Sequence, residues 1–300
     1  MNIMLDRSSI MQYICRMNKL PQATREQIIM LLCEGNSLRA ITRITGVSIN
    51  TVTKLLIDAG RACKHYHDKY VRNLKSERVQ CDEIWSFIYS KEKNATQDTK
   101  IDNNAGDCYT WTAIDADSKL ILSYLVGQRT EHCANYFMYD VALRVSNRIQ
   151  LTTDGLTAYR EAVRKSFGRD IDFAQLIKIY GSESGKGNNE RKYSPIEYTG
   201  SKKITVRGEP DMDHVSTSYV ERQNLTMRMH MRRFTRLTNG FSKKLENHAC
   251  AIALHFFYYN FVRIHKTLRV TPAMAAGLKD DIVSVSEIIR IADEQYLANI

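Results

Sequence analysis

Between residues 21 and 60 the apolar positions fall into three short runs with the 3.6-residue period of amphipathic helices, separated by Gly35-Asn36 and Thr45-Gly46. Ala40 is small enough for two helices to cross closely, Gly46 suits a tight turn, and Val47 and Val52 supply apolar contacts, which is the pattern of a helix-turn-helix. Ser48 is placed to cap a recognition helix that carries Asn50, Thr51, Thr53 and Lys54 outward, with Arg39 and Arg43 in reach of phosphates. A plain three-helix packing unit without a DNA contact fits the same periodicity. Residues 61–78 are polar and basic with little apolar periodicity, so they read as a linker or as a helix lying on DNA.

From residue 79 the period changes to that of strands. VQCDEIWSFIYS (79–90), CYTWTAID (108–115) and KLILSYLVG (119–127) are rich in β-branched and aromatic residues, and Asp117-Ser118 marks a turn, so a three-stranded meander is expected. Residues 91–106 read as a long exposed loop. A helix over 131–146, a strand over 148–154, a helix over 156–166 and a strand over 174–180 follow, giving the order β-β-β-α-β-α-β-α. That order predicts an α/β fold, a mixed five-stranded sheet with helices on its faces. Trp85 and Trp111 are assigned to its core.

The stretch 181–212 is rich in Gly, Ser, Asn and Lys and reads as a flexible basic insertion with a short strand at 203–207. Beyond it, 213–234 reads as one helix, 241–265 as a long apolar helix, 271–278 as the start of a short helix favoured by Pro272, and 279–300 as a helical tail. The expected division is therefore 1–60, a linker at 61–78, a sheet domain over 79–278, and the tail.

Charge sharpens this picture. Lys and Arg outnumber Asp and Glu by 43 to 33, a net charge of +10, which favours a polyanionic partner such as nucleic acid. No run of about 18 apolar residues spans a bilayer, and the N-terminus lacks the pattern of a signal peptide, so a cytoplasmic, nucleoid-associated protein without a membrane partner is expected. The seven cysteines are scattered without a CxxC pair, which argues against a zinc ribbon and a disulfide framework.

The chemistry centres on the helix over 213–234. Val220, Met227, Met231 and Phe234 share one side of it, while Glu221, Arg228 and Arg232 line up beside them; Ser216 and Ser218 precede it as candidate caps. Glu221 either pairs with these arginines or serves as a ligand. Phosphodiester cleavage at neutral pH benefits from two divalent ions about 4 Å apart, and such hard cations want carboxylate oxygens. Asp82 inside the first strand and Asp154 at the end of the fourth can come together by strand neighbourhood, and Glu221 can be added by its helix. Structural readings remain for each: Asp154 as a cap for the helix after it, Asp82 as a paired acid. Glu83 and Asp213 stand in reserve, while Asp115 and Asp117 belong to a turn. Histidines 248, 255 and 265 lie in an apolar context that suits core or surface positions better than catalysis.

CDEIW around Asp82, TTDGLTAY around Asp154 and HVSTSYVERQNLTMRMHMRRFTRLTNGFSKKLENH around Glu221 resemble the DDE transposases of bacterial insertion sequences, the insertion-sequence-one type above all. The spacing of Glu221 and Arg228 is similar to the acid and following basic residue of that superfamily, and YNFVRIHKTLRVTPAMAAGL resembles its tail. The resemblance covers about 79–278. It implies an RNase H-like fold, two Mg²⁺ or Mn²⁺ ions on Asp82, Asp154 and Glu221, and strand cleavage and transfer at transposon ends. It further implies DNA contacts by Arg228, Arg232, Arg263 and His265, the element's ends and target DNA as partners, and a homo-oligomer on DNA. An integrase or nuclease of the same fold, or an inactive DNA-binding regulator, is the alternative; the family's zinc-finger N-terminus is replaced here by the helix-turn-helix pattern.

Overall fold

A computed structural model of the chain describes residues 19–180, 198–235 and 238–298. Residues 1–18 of the expected N-terminal unit and 181–197 of the expected insertion lie outside that description.

Three helices open it: α1 (Gln22–Cys33), α2 (Leu38–Thr45) and α3 (Ile49–Tyr70). The side chains of Ser37 and Ser48 accept from the backbone N–H of Ala40 and Thr51, so each start is fixed by a hydroxyl cap, and Gly46 ends α2 with a φ of 71°. The stretch 61–70 is not a free linker. It extends α3 and buries Ala62, Cys63, Tyr66 and His67, because its small and aromatic residues recur at helical spacing beneath a basic outer face.

The sheet has six strands, one more than expected, in the order β3-β2-β1-β4-β5-β6. They are β1 (Arg78–Ile88), β2 (Gly106–Asp115), β3 (Ile121–Gly127), β4 (Gln150–Thr153), β5 (Asp172–Tyr180) and β6 (Tyr198–Arg207). β1, β2 and β3 form an antiparallel meander, β4 and β5 run parallel to β1, and β6 returns antiparallel on β5. β6 contains the short strand expected at 203–207 and extends it back to Tyr198 into what reads in sequence as flexible insertion; it is an edge strand with most side chains exposed, so burial leaves little alternating signature on it. The expected loop at 91–106 holds a short helix, α4 (Gln97–Asn103), capped by reciprocal Thr96 and Thr99 bonds.

α5 (Glu131–Arg144) and α6 (Ala158–Phe167) cover the face that carries Trp111, whose ring packs on Phe137 and Tyr159. The other face is covered by α7 (Ser218–His230), α8 (Leu245–Phe257) and the second half of α3. There Tyr124 meets Phe256, and the His67 ring bonds the Leu122 carbonyl. α7 is shorter than predicted: Met231 turns extended and Arg232–Phe234 forms a 3₁₀ turn, which keeps Val220, Met227, Met231 and Phe234 all buried. α8 likewise ends at Phe257, and a π-turn over Tyr258–Val262 buries Asn260, whose amide pairs both backbone groups of Ile121 on the β3 edge. After α9 (Pro272–Ala275), the last helix, α10 (Val285–Ala298), returns to α1 and α3. Trp111 is core as expected, whereas Trp85 is 40% exposed.

α3 and α8 cross at Gly60, where a Cβ would overlap the backbone carbonyl and Cα of Cys250. Gly60→Ala therefore forces the helices apart, and urea unfolding should show a loss of about 2–3 kcal/mol, more than the roughly 1 kcal/mol that Ala gains over Gly in an open helix position. Unchanged stability would mean that the crossing yields freely.

Candidate active site

The acids meet because of strand register. In the parallel β1–β4 pair Cys81 is opposite Thr153, so the next residues, Asp82 and Asp154, leave the paired region side by side. Buried Gln175 on β5 fixes the departing chain by donating to the Asp154 and Leu156 carbonyls at 2.8 and 3.1 Å. Asp154 itself is divided: Oδ1 accepts from the Leu156 N–H at 3.0 Å, the turn role open to it in sequence, while Oδ2 faces Arg129 at 3.3 Å.

Glu221 arrives on α7, and α7 is aimed by β1. The Gln80 side-chain oxygen accepts from the N–H groups of Tyr219 and Val220 at 2.8 and 3.2 Å, satisfying donors that neither Ser216 nor Ser218 caps within the helix. Glu221 Oε1 accepts from the Thr217 hydroxyl and Oε2 from Lys178 Nζ, each at 2.5 Å. One turn on, Asn224 donates to Asp82 Oδ2 at 2.8 Å. Asp82, Asp154 and Glu221 thus share one cleft of about 870 Å³, with Arg129, Lys178 and Arg228 in its walls.

Glu83 belongs to the same cleft, although β1 alternation sends it to the face opposite Asp82. Where β4 ends, β1 loses its neighbour on that side, and single carboxylate oxygens of Asp82, Glu83 and Asp154 lie within 4.8 Å of one another. The Glu83 side chain is 2% exposed; Oε2 accepts from Arg129 at 3.2 Å and Oε1 is buried without a partner. Sequence alternation alone ranks Glu83 as a reserve; only the convergence at the strand end raises it. The other reserve, Asp213, is exposed on a short turn outside the cleft.

Burial, and then the charge of Asp154, push the Asp82 carboxyl up to about 7, and the same two causes push Glu83 up to about 8. Four carboxylates and three cations line the cleft. A set of hard oxygens packed this closely fits a divalent cation.

The remaining predicted contacts are spread over other elements. Arg39, Arg43, Ser48, Asn50, Thr51 and Lys54 lie exposed on α2 and α3 or the turn between them, and Thr53 is half-buried with its hydroxyl on the Ile49 carbonyl. Lys54 pairs with Asp58. Arg232 is exposed beyond α7, Arg263 meets the His230 ring at 2.7 Å, and His265 accepts from the Leu268 N–H in a partly buried turn. None of these except Arg228 lines the acid cleft. His248 is a satisfied core residue between the hydroxyls of Ser86 and Ser242, and Asp115 is a buried turn acid holding Ser76 and Ser118. No helix among the described residues is long and apolar enough to cross a membrane.

No family model matches the chain, and no curated protein matches it. Among solved structures, the cryo-EM structure of the piggyBac transposase synaptic complex with hairpin DNA is similar over 93% of this chain and 74% of that one, at 8% identity and a TM-score of 0.43.

The raised carboxyls fix the sign of a pH effect. Unfolded carboxyls titrate near about 4, whereas those of Asp82 and Glu83 in the fold titrate near 7 and 8. Between these values the folded chain binds more protons than the unfolded one, so the contribution of this pair is full below about pH 4 and is lost as pH rises through 8. Without added metal, the doubly substituted Asp82→Asn, Glu83→Gln protein should gain on the parent as pH rises over that window in urea melts. A difference independent of pH would mean that neither carboxyl is raised.

Proposed function

We propose that the chain is a DNA transposase of the DDE type that binds the ends of its element and catalyses metal-dependent strand cleavage and strand transfer. The observation that carries the reading is the convergence of Asp82, Asp154 and Glu221, from β1, the end of β4 and α7, on one cleft walled by cations. These are the acids of the three motifs that resemble insertion-sequence transposases, insertion-sequence-one type included, and the order β3-β2-β1-β4-β5, antiparallel then parallel, is the one expected of an RNase H-like sheet.

In this reading Asp82, Asp154 and Glu221 hold two Mg²⁺ or Mn²⁺ ions, and Glu83 adds a fourth oxygen donor. The ions, when bound, supply activation of the attacking oxygen and neutralisation of the leaving one. The chain does the rest. Asn224 keeps one Asp82 oxygen oriented through its amide. Lys178 neutralises Glu221 until the ligand set fills, and with Arg129 and Arg228 it offers a phosphate three positive groups at the mouth of the cleft. A water and then a strand's 3′-hydroxyl serve as nucleophiles in turn. α1 to α3 serve end recognition, with Asn50, Thr51 and Lys54 toward bases and Arg39 and Arg43 toward phosphates; Arg232, Arg263 and His265 reach flanking DNA. The protein acts as a homo-oligomer on DNA.

On DNA carrying the element's ends, Asp82→Ala, Asp154→Ala and Glu221→Ala should each abolish Mg²⁺-dependent cleavage and joining while end binding survives. If Glu221→Ala cleaved normally and Glu83→Gln did not, the third ligand would be Glu83 and the α7 assignment would fall.

End recognition has its own test. Arg43→Ala should weaken binding of end DNA and reduce the slope of log affinity against log salt by about 0.9, the loss of one phosphate contact. An unaltered slope would remove α2 from the DNA interface.

A further inference from the structure

β1 runs on from Asp82 to Ile88, seven residues beyond its last pair with β4, and the free edge it leaves is met by the segment that follows α7: Ile88 bridges to Ser242. Between them lies a pocket of about 320 Å³ that the acid chemistry does not use. Its floor is aromatic. Trp85 is 40% and Phe241 36% exposed, with ring centroids 5.7 Å apart from Trp85 to Phe87 and 5.3 Å from Phe87 to Phe241. Its charged lining is cationic: Lys91, Arg228 and Arg233 contribute three positive groups, and among the described residues no carboxylate lines it. Lys91 Nζ stands 5.8 and 5.9 Å from the Trp85 and Phe87 rings.

Two features say that this is more than a gap in packing. A tryptophan left open to solvent in a strand whose neighbours are buried forgoes the burial that an indole ordinarily supplies. Arg233 is desolvated, which lowers its guanidinium pKa to about 10, and among the described residues it donates only to the Asn247 carbonyl, with no acid partner. A planar cation without an anion, beside an aromatic cluster that leaves Trp85 and Phe241 open to solvent, matches a ligand that carries both a π-face and a phosphate. Arg228 lines this pocket and the acid cleft alike, and Trp85 follows Asp82 by three strand residues, about 10 Å.

We propose that this pocket takes one unpaired nucleotide of a DNA strand passing from the acid cleft, its base on Trp85 and Phe87 and its phosphate on Arg233 and Arg228. The proposal rests on the nucleic-acid reading above. Stacking on an aromatic ring is tolerant of base identity, so the site orders a strand without reading its sequence. A protein partner is disfavoured by the uniform positive charge, which suits a polyanion.

The test uses the full chain without metal and a twelve-residue oligothymidylate. The chain has two tryptophans, Trp85 and the buried Trp111, so intrinsic fluorescence reports on the pocket. The oligonucleotide should quench emission in the parent and in Glu221→Ala, and the quench should vanish in Trp85→Phe, where Trp111 alone emits. Trp85→Ala should bind about five- to a hundredfold more weakly, the loss of one stacked base. Arg233→Gln should reduce the salt slope by about 0.7, as for one phosphate of a single strand. A quench that survives Trp85→Phe, or an unchanged affinity in Trp85→Ala, overturns the pocket. Cleavage failing on end DNA while the quench persists would remove the transposase reading and leave this site standing.

Discussion

Repulsion among Asp82, Glu83, Asp154 and Glu221 is the constraint to which the rest of the structure answers. Parallel strand register puts two of these acids side by side, alternation at the strand end adds the third, and α7 brings the fourth. Such a group persists only if protons, cations or hydrogen-bond donors offset it. All three occur here. Asp82 and Glu83 hold protons toward neutral pH, Arg129 spans Glu83 and Asp154, Lys178 meets Glu221, and Asn224 donates to Asp82. Each device is reversible by a divalent cation, which would replace protons and compete with Lys178 for the same oxygens. The arrangement costs stability in exchange for a preorganised set of oxygen donors.

Backbone geometry around the cleft is held by amides rather than charges. Gln80 satisfies the first N–H groups of α7, Gln175 holds the turn after β4, and Asn260 closes the edge of β3. Each is buried, and each replaces a cap or ladder bond that the chain's own backbone cannot make there. A glutamine amide keeps its hydrogen bonds whatever the state of the neighbouring acids, so titration or metal binding in the cleft leaves the frame in place. The N-terminus of α7 is held by the Ser216 hydroxyl, which accepts from the Ser218 N–H at 3.2 Å, and by docking on β1 through Gln80, and Glu221 is thereby positioned by the sheet.

Much of this was legible in the sequence because it is periodic. The meander, the two βα units and the helices around Glu221 bury alternating or helical apolar faces, and those patterns survive in a single chain. Of β6 only the end at 203–207 was legible, because an edge strand with exposed side chains carries little burial pattern, and α4 was not, because it is short and held by a capping box rather than by packing. The meeting of Asp82, Asp154 and Glu221 in one cleft was foreseeable from strand order. Glu83 was misplaced by applying strict alternation where the strand leaves its neighbour, and Trp85 by assuming that an indole in a strand is covered. Both errors sit on the half of β1 that runs on past the end of β4 and is paired with β2 alone.

The longest-range feature is the return of the chain's end to its beginning. Asp293 on α10 receives both guanidinium nitrogens of Arg25 at 2.9 Å and the Lys19 ammonium at 2.8 Å, and Ser286 bonds Glu26. A tail that reads alone as a helix of ordinary amphipathic pattern thus completes the packing of α1 and α3. α3 then runs without a break from the N-cap at Ser48 to His67 against β3. A continuous helix of 22 residues, packed at Gly60 and along its second half, is a stiff connection. Whatever α2 and the start of α3 bind is thereby held in fixed orientation to the sheet that carries the acids, and the coupling runs through apolar packing and one glycine crossing rather than through a flexible linker.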